Sequence, residues 1–401
     1  MARMSRWVRL GIFVLILGFI LNRMGFLAMA GMTFAVFGVA WLWNRYSLQG
    51  VQYLRHLHFR RSFPGESVDC NIVVENRKLL PLGWLVTSDR WAKAVAPHDE
   101  ELLTASQNPE EGTLDFVMAM RPFHRIQRSF SLLFRKRGVY SLGPVTARSG
   151  DPFGIMESRE KIAEDQRVVV YPELIPVEEI GLRPEDPFGL SRSHRKIYED
   201  ESRPMGIRDY RPEDGFRRIH WPATARVGEL QTRVFQPISG LDLIICLNVA
   251  TFDPYWLGIQ PILLERLIST AGSLAVQAFN DGYRVGLISN GGVAHAGKAF
   301  RIPPGRSPKQ LPALLEALAG MTPVVSGPFD RFLLKQAPNL EYGSVLLVIS
   351  ALTPPSLLET LVRLRTRSRK ILLVSLGEEI IPETPGIEVI SYPARDEEPV
   401  H

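Results

Sequence analysis

Leu241-Asp242-Leu243-Ile244-Ile245-Cys246-Leu247 is the stretch that decides the fold. A near-continuous apolar run of this length suits a strand of a parallel sheet buried on both faces, since a strand with one wet face alternates instead. Downstream, Pro261–Asn280 places Leu264, Leu267, Ile268, Ala271, Leu274, Ala275 and Ala278 on one helical stripe. Pro261 suits the first turn, and Asn280-Asp281-Gly282 supplies the stop. Tyr283–Ser289 reads as the next strand. Ser307-Pro308-Lys309-Gln310 reads as a capping-box start to a helix through Leu311, Leu314, Leu315 and Leu318. Ser344–Ile349, Pro354–Arg367 and Ile371–Leu376 follow as strand, helix and strand. This alternation predicts a doubly wound α/β sheet over residues 241–393, ahead of a polar tail at 394–401. Ligands of such sheets sit at the carboxyl ends of the strands.

Upstream, Leu182–Pro204 is polar and carries Asp186-Pro187-Phe188-Gly189, so it reads as a linker or draped loop within a connecting segment at 181–240. Glu199, Asp200 and Glu201 within it read as a solvated acidic run. Between residues 47 and 180 the period falls to two: Val68, Cys70, Ile72 and Val74 share one face, as do Ile126, Phe130, Leu132 and Phe134. Gly65, Gly83, Gly112 and Gly138 punctuate these runs at turn-like positions, which predicts a β-sandwich-like domain.

Residues 1–46 hold two apolar blocks, Trp7–Leu21 and Met24–Trp43, separated by Asn22 and Arg23. A spanning helix needs ~20 apolar residues, so the second block qualifies and the first does so with Arg9 snorkelling. The expectation is a transmembrane helical hairpin, with Trp41, Trp43 and Tyr46 as an aromatic belt. Arg3, Arg6 and Arg9 before it and Arg45, Arg55, Arg60 and Arg61 after it place both ends, and the body, in the cytoplasm.

The chain has 401 residues, a formal charge of +5 and 45% hydrophobic residues, enough for two or three domains. Its arginines are scattered and no nucleic-acid-binding signature accompanies them, so nucleic acid is not the expected partner. Two cysteines, Cys70 and Cys246, make no disulfide framework or metal spacing. No phosphate-binding glycine loop and no nucleophile elbow occurs, so no cofactor is expected.

The densest polar-aromatic segment runs from Met205 to Trp221 and on through Arg226 to Arg233. Asp209 and Asp214 stand among Arg208, Arg211, Arg217 and Arg218, where charge-assisted pairs would fix a clasp, with Tyr210 in the turn and Trp221 as an apolar anchor. The segment resembles the signature of the bacterial family called domain of unknown function 58, as do Arg137–Val145 and Asp151-Pro152-Phe153-Gly154. One departure is Glu213, where that family usually has Gly. The resemblance implies a von Willebrand factor A-like C-terminal domain and a MoxR-type AAA+ ATPase as partner. Arg208, Asp209, Tyr210, Asp214, Arg217, Trp221, Arg226 and Arg233 are then either a docking surface or a structural clasp.

Von Willebrand A domains that hold Mg²⁺ place Asp-x-Ser-x-Ser after the first strand; the matching positions here are Asn248, Ala250 and Phe252. One neutral amide is a poor site for a hard cation, so no metal is expected. The functional expectation is a membrane-tethered interaction or assembly module. The alternatives are a hydrolytic enzyme using the Asp209/Asp214 turn and an outward-facing metal-dependent adhesin.

Overall fold

Two compact units make up the chain, Met1–Tyr171 and Pro172–His401. In this computed structural model the described residues are 12–13, 16, 24–182, 188, 199–211, 214–216, 219–237, 242–293, 300–341, 343–365, 370–379, 381–382 and 384–392. The first unit is sheet-rich and the second is mixed α/β.

In the first unit, Met24–Ser47 is a helix of 24 residues, apolar along most of its length. The hairpin expected from the sequence is not shown as a pair, because its first arm lies outside the described residues apart from Ile12, Phe13 and Ile16. The alternating segments beyond it form two antiparallel sheets and a small third one, ordered Arg61–Ser62, Gln166–Val170, Gly138–Leu142, whose first pair is parallel. One of the two has the order Val51–Leu57, Ser67–Asn76, Arg125–Phe134, Val95–Pro97. The other has the order Glu157–Ala163, Val145–Gly150, Leu82–Ala92, Glu111–Met120, Leu103–Ala105. Their inner faces meet over Val68, Cys70, Ile72, Leu85, Trp91 and Phe134, as the period of two requires. Gly65 occupies a turn at φ 82. Gly83 and Gly112 instead lie inside strands, which corrects the turn assignment. At Gly112 the reason is close approach: a Cβ there would stand 3.1 Å from that of Leu103 on the neighbouring strand.

A buried ion pair crosses this sandwich. Arg55 Nη2 lies 2.5 Å from Asp89 Oδ1, and Tyr53 donates its hydroxyl proton to Asp89 Oδ2 at 2.9 Å. Arg55 also donates to the carbonyl of Leu142 and lies over the Trp91 ring, so neither charge is left bare.

In the second unit six strands form one sheet in the order Phe300–Gly305, Arg284–Ser289, Asp242–Leu247, Val345–Ser350, Lys370–Ser375, Ile387–Ser391. All neighbouring pairs are parallel except Phe300–Gly305, which runs against Arg284–Ser289. The deciding run behaves as its composition dictates. Leu243, Ile245 and Leu247 face a core built with the helices Pro261–Asn280 and Gln310–Ala319. Ile244 and Cys246 face a second core built with the helices Phe329–Gln336 and Pro355–Arg365. Pro261–Asn280 is long and apolar enough to cross a membrane, yet 61% of its apolar window is buried in this unit, so it is a core helix.

Several sequence expectations need correction. Leu182 and Phe188 are buried in the first of these cores, with the Phe188 and Tyr283 rings 5.3 Å apart, so these parts of the expected linker are core; Ile180, expected in the sandwich-like domain, is buried with them. Glu199–Asp209 is a strand rather than loop, paired with Gln231–Pro237. The capping box is not used: the helix starts at Gln310 after Lys309, and the Gln310 amide donates to the carbonyls of Val285 and Pro303. The strand Phe300–Gly305, the helix Phe329–Gln336 and the edge strand Ile387–Ser391 were not anticipated.

Candidate functional site: a signature hairpin and a neutral strand-end network

The signature segment folds as a two-stranded ribbon with a helical excursion at its tip. Glu199–Asp209 pairs antiparallel with Gln231–Pro237, Ile207 opposite Arg233 and Asp209 opposite Gln231. Between them Trp221–Val227 is a short helix. His220 Nδ1 accepts from the Ala223 N–H at 3.1 Å to cap its start, and Gly228, at φ 83, ends it. Thr224 Oγ1 accepts from Gln231 N at 3.0 Å, tying the excursion back to the ribbon.

Of the charged pairs expected among Asp209, Asp214 and the neighbouring arginines, one is present among the described residues. Arg208 grips Asp214 with two parallel bonds of 2.7 Å each, and Asp214 Oδ2 also accepts from Arg211 N at 2.9 Å. This fork-to-fork geometry fixes the turn between residues 209 and 214. Asp209 Oδ1 accepts from Gln231 Nε2 at 2.7 Å. Arg217 and Arg218 lie outside the described residues. Arg226 and Arg233 are exposed, and Tyr210 is half-buried with its ring 6.0 Å from that of Phe216.

Trp221 is not an anchor. It is 65% exposed, and Ile207, Phe216, Val227 and Leu230 on the same ribbon are each between 41% and 76% exposed. Five large apolar side chains on a frame held by a cap and a bidentate ion pair thus face solvent.

The second region is the carboxyl end of the parallel strands, where the sheet order reverses between Asp242–Leu247 and Val345–Ser350. Asn248 lies there, buried, and every polar atom of its side chain is engaged. Its Nδ2 donates to Ser350 Oγ at 2.9 Å, and its Oδ1 accepts from Asn290 Nδ2 at 3.0 Å and Ala250 N at 3.1 Å. Asn290 Oδ1 accepts from Val249 N at 3.0 Å, and Ser350 Oγ donates to the Leu352 carbonyl. Of the two other residues expected from the sequence at metal positions, Ala250 is buried and contributes a methyl group, and Phe252 is exposed. Asp253 is exposed in the turn before the short helix Tyr255–Leu257. These donors do not fit a hard divalent cation, which needs several free oxygens. Among the described residues no group of three or more His, Cys, Asp or Glu side chains converges.

The loop that leaves this end carries a feature that sequence reasoning passed over. Phe252, Trp256, Leu257 and Ile262 are all exposed, Trp256 at 72%. A Trp-Leu pair in a segment between a strand and a helix, outside any apolar period, was the available signal.

Comparison with known proteins bears on the ribbon and the sheet together. Residues 206–392 match the family described as protein of unknown function DUF58. The DUF58 match opens at Gly206 inside the ribbon and closes at Tyr392, one residue past the edge strand. A relative from Bacillus subtilis (strain 168), the uncharacterized protein YeaD, is 23% identical over 246 residues. That alignment spans 61% of this chain and 57% of the relative's length. Among solved structures, the CARDB domain of a Pyrococcus furiosus protein is 10% identical, covering 30% of this chain and 91% of that one, with a TM-score of 0.21. The sporulation control protein Spo0M of Bacillus subtilis is 16% identical, covering 33% and 53%, with a TM-score of 0.20. At such scores neither likeness carries an argument about function.

Proposed function

We propose that the protein is a membrane-tethered interaction and assembly module whose DUF58 segment docks a partner through the signature ribbon. Its C-terminal sheet is read as a von Willebrand A-like domain that works without a metal. The helix Met24–Ser47, with its expected partner helix upstream, is the tether, and the positive-inside bias puts the body in the cytoplasm. The partner expected from the family resemblance is a MoxR-type AAA+ ATPase.

The observation that carries this reading is the ordered exposure of Phe216 and Trp221 beside the Arg208–Asp214 pair. Folding gains little from an aromatic ring left in water, whereas a rigid exposed Trp is the residue type that dominates binding surfaces. The same geometry disfavours a hydrolytic role: both Asp214 oxygens hold Arg208, and Asp209 holds Gln231. The test is co-purification from gently solubilised native membranes. An AAA+ ATPase should accompany the tagged full-length protein and be lost from the Phe216→Ala, Trp221→Ala double variant. If that variant retains it, the ribbon is not the docking surface.

A further inference from the structure

The Met24–Ser47 helix does not end in a free linker. Lys78 donates its ammonium protons to the carbonyls of Ser47 and of Gln49, the latter at 2.8 Å. Arg77 N donates to the Gly50 carbonyl at 2.9 Å, and Ser158 Oγ donates to the Asn44 carbonyl at 3.2 Å. These contacts satisfy carbonyls at and beyond the helix C-terminus and set the end of the sandwich against it.

At that same end two loops project. Asn76, itself buried, laces them together, donating Nδ2 to the carbonyls of Leu80 and Arg121 at 3.0 Å each, while its N–H donates to the His124 carbonyl at 2.9 Å. Phe123 N donates to the Lys78 carbonyl at 3.3 Å. Leu79, at the tip of one loop, is 77% exposed, and Phe123, at the tip of the other, is 66% exposed. Phe123 has φ 53, the left-handed region that a bulky side chain enters only with strain. The turn closed by the His124 N–H on the Arg121 carbonyl at 3.3 Å thus carries a strained residue at its tip with its ring exposed. Around the two tips stand Arg77, Arg121 and Arg125, with Glu75 between Arg77 and Arg125.

We infer that Leu79 and Phe123 form a wedge that enters the interfacial layer of the bilayer beside the tether helix, with Arg77, Arg121 and Arg125 on anionic lipid headgroups. The inference rests on the membrane-tether reading. Continuity supports it: the wedge begins at Lys78, whose ammonium binds the last carbonyl of a helix whose Trp41, Trp43 and Tyr46 mark the headgroup level. Chemistry supports it as well. Paired apolar tips with a basic surround are what an interfacial insertion needs, since the tips leave water while the guanidinium groups meet phosphate.

The test uses the full-length protein reconstituted in phosphatidylcholine vesicles with and without phosphatidylglycerol. An environment-sensitive fluorophore is placed singly through Phe123→Cys, Ala35→Cys in the helix, and Asn108→Cys in the turn before the Glu111–Met120 strand, at the end away from Phe123. Cys70 and Cys246 are buried and stay unlabelled. The expected result is blue-shifted, lipid-quenched emission at positions 35 and 123 and water-like emission at 108, the shift at 123 growing with phosphatidylglycerol. Lipid-like emission at 35 with water-like emission at 123 overturns the wedge and leaves the tether intact. Water-like emission at 35 removes the tether itself. Because Phe123 also carries backbone strain, Leu79→Cys is labelled in parallel, and it must report the same environment as position 123.

Discussion

Asn290 and Asn248 hold each other across the carboxyl ends of two adjacent parallel strands, Nδ2 of the first donating to Oδ1 of the second at 3.0 Å. Each also receives a backbone N–H from the loop that follows Leu247. Truncating Asn290 to Ala leaves the Val249 N–H and part of Asn248 unpaired in a dry site. Each such orphaned group costs ~1–3 kcal/mol, so urea titration of Asn290→Ala should show a loss of about 3 kcal/mol. A loss under about 1 kcal/mol shows that water reaches the site.

Asn248→Asp tests whether this strand end is one step from a metal site. The new carboxylate has no amide proton for Ser350, whose own proton lies on the Leu352 carbonyl. The variant should be destabilised, and calorimetry with Mg²⁺ or Mn²⁺ should show no heat of binding, because Ala250 and Phe252 supply no oxygen. Recovery of stability by millimolar-range Mg²⁺ would contradict this.

At the opposite end of the same strand, Asp242 is buried with Arg284 Nε 3.2 Å away and Glu341 beside it. Burial, and then Glu341, push its carboxyl up to about 7, with Arg284 opposing. The folded state therefore binds a proton more tightly than the unfolded chain. Stability from this group is complete below the ordinary carboxylate range and is lost as pH rises through about 7. Between pH 5 and 8 (roughly the upper part of this range) the wild type should lose stability relative to Asp242→Asn, as denaturation midpoints at several pH values would read. Parallel curves for the two proteins would reject the assignment.

Asp89 anchors the sandwich through Arg55 and Tyr53. Burial raises the Tyr53 phenol, so that group stays a proton donor throughout the accessible range. Asp89→Ala strands a buried guanidinium, and the cost should be about 3–5 kcal/mol, visible as a lowered melting temperature. Burial also pushes the Cys70 thiol in this core up to about 12, so native protein should alkylate there only as fast as it unfolds.

The signature ribbon separates binding from stability. Trp221→Ala and Phe216→Ala remove exposed rings, so each should change stability by no more than about 0.5 kcal/mol. Arg208→Ala breaks a partly exposed pair and should cost no more than about 1 kcal/mol. Partner capture should fall in all three. Large destabilisation by Trp221→Ala would restore the clasp.

Where burial is two-sided or strictly alternating, the sequence was readable. Leu243–Leu247 and Val68–Val74 declare their faces because each residue type answers to a core. Glu199–Asp209 was misread because a two-stranded ribbon needs no apolar face, and its charges and Pro204 resemble a loop. Phe300–Gly305 was missed because Pro303 and Pro304 interrupt any strand pattern. At the strand end, the neutral character of the donor set was legible in Asn248, Ala250 and Phe252. Its completion by Asn290 was not, since that partner stands 42 residues away. Trp221 was assigned inward because aromatic residues usually are, and only the helix it starts shows otherwise.

Those same two prolines shape how the sheet meets other chains. Phe300–Gly305 is an outer strand, and neither Pro303 nor Pro304 has an N–H to offer. A foreign strand laid along that border would find the donor row interrupted, so this edge, unlike Ile387–Ser391 at the other, resists extension by a neighbouring copy. Association on that side is left to side chains, which select partners by shape and charge instead of by the uniform backbone that every protein carries.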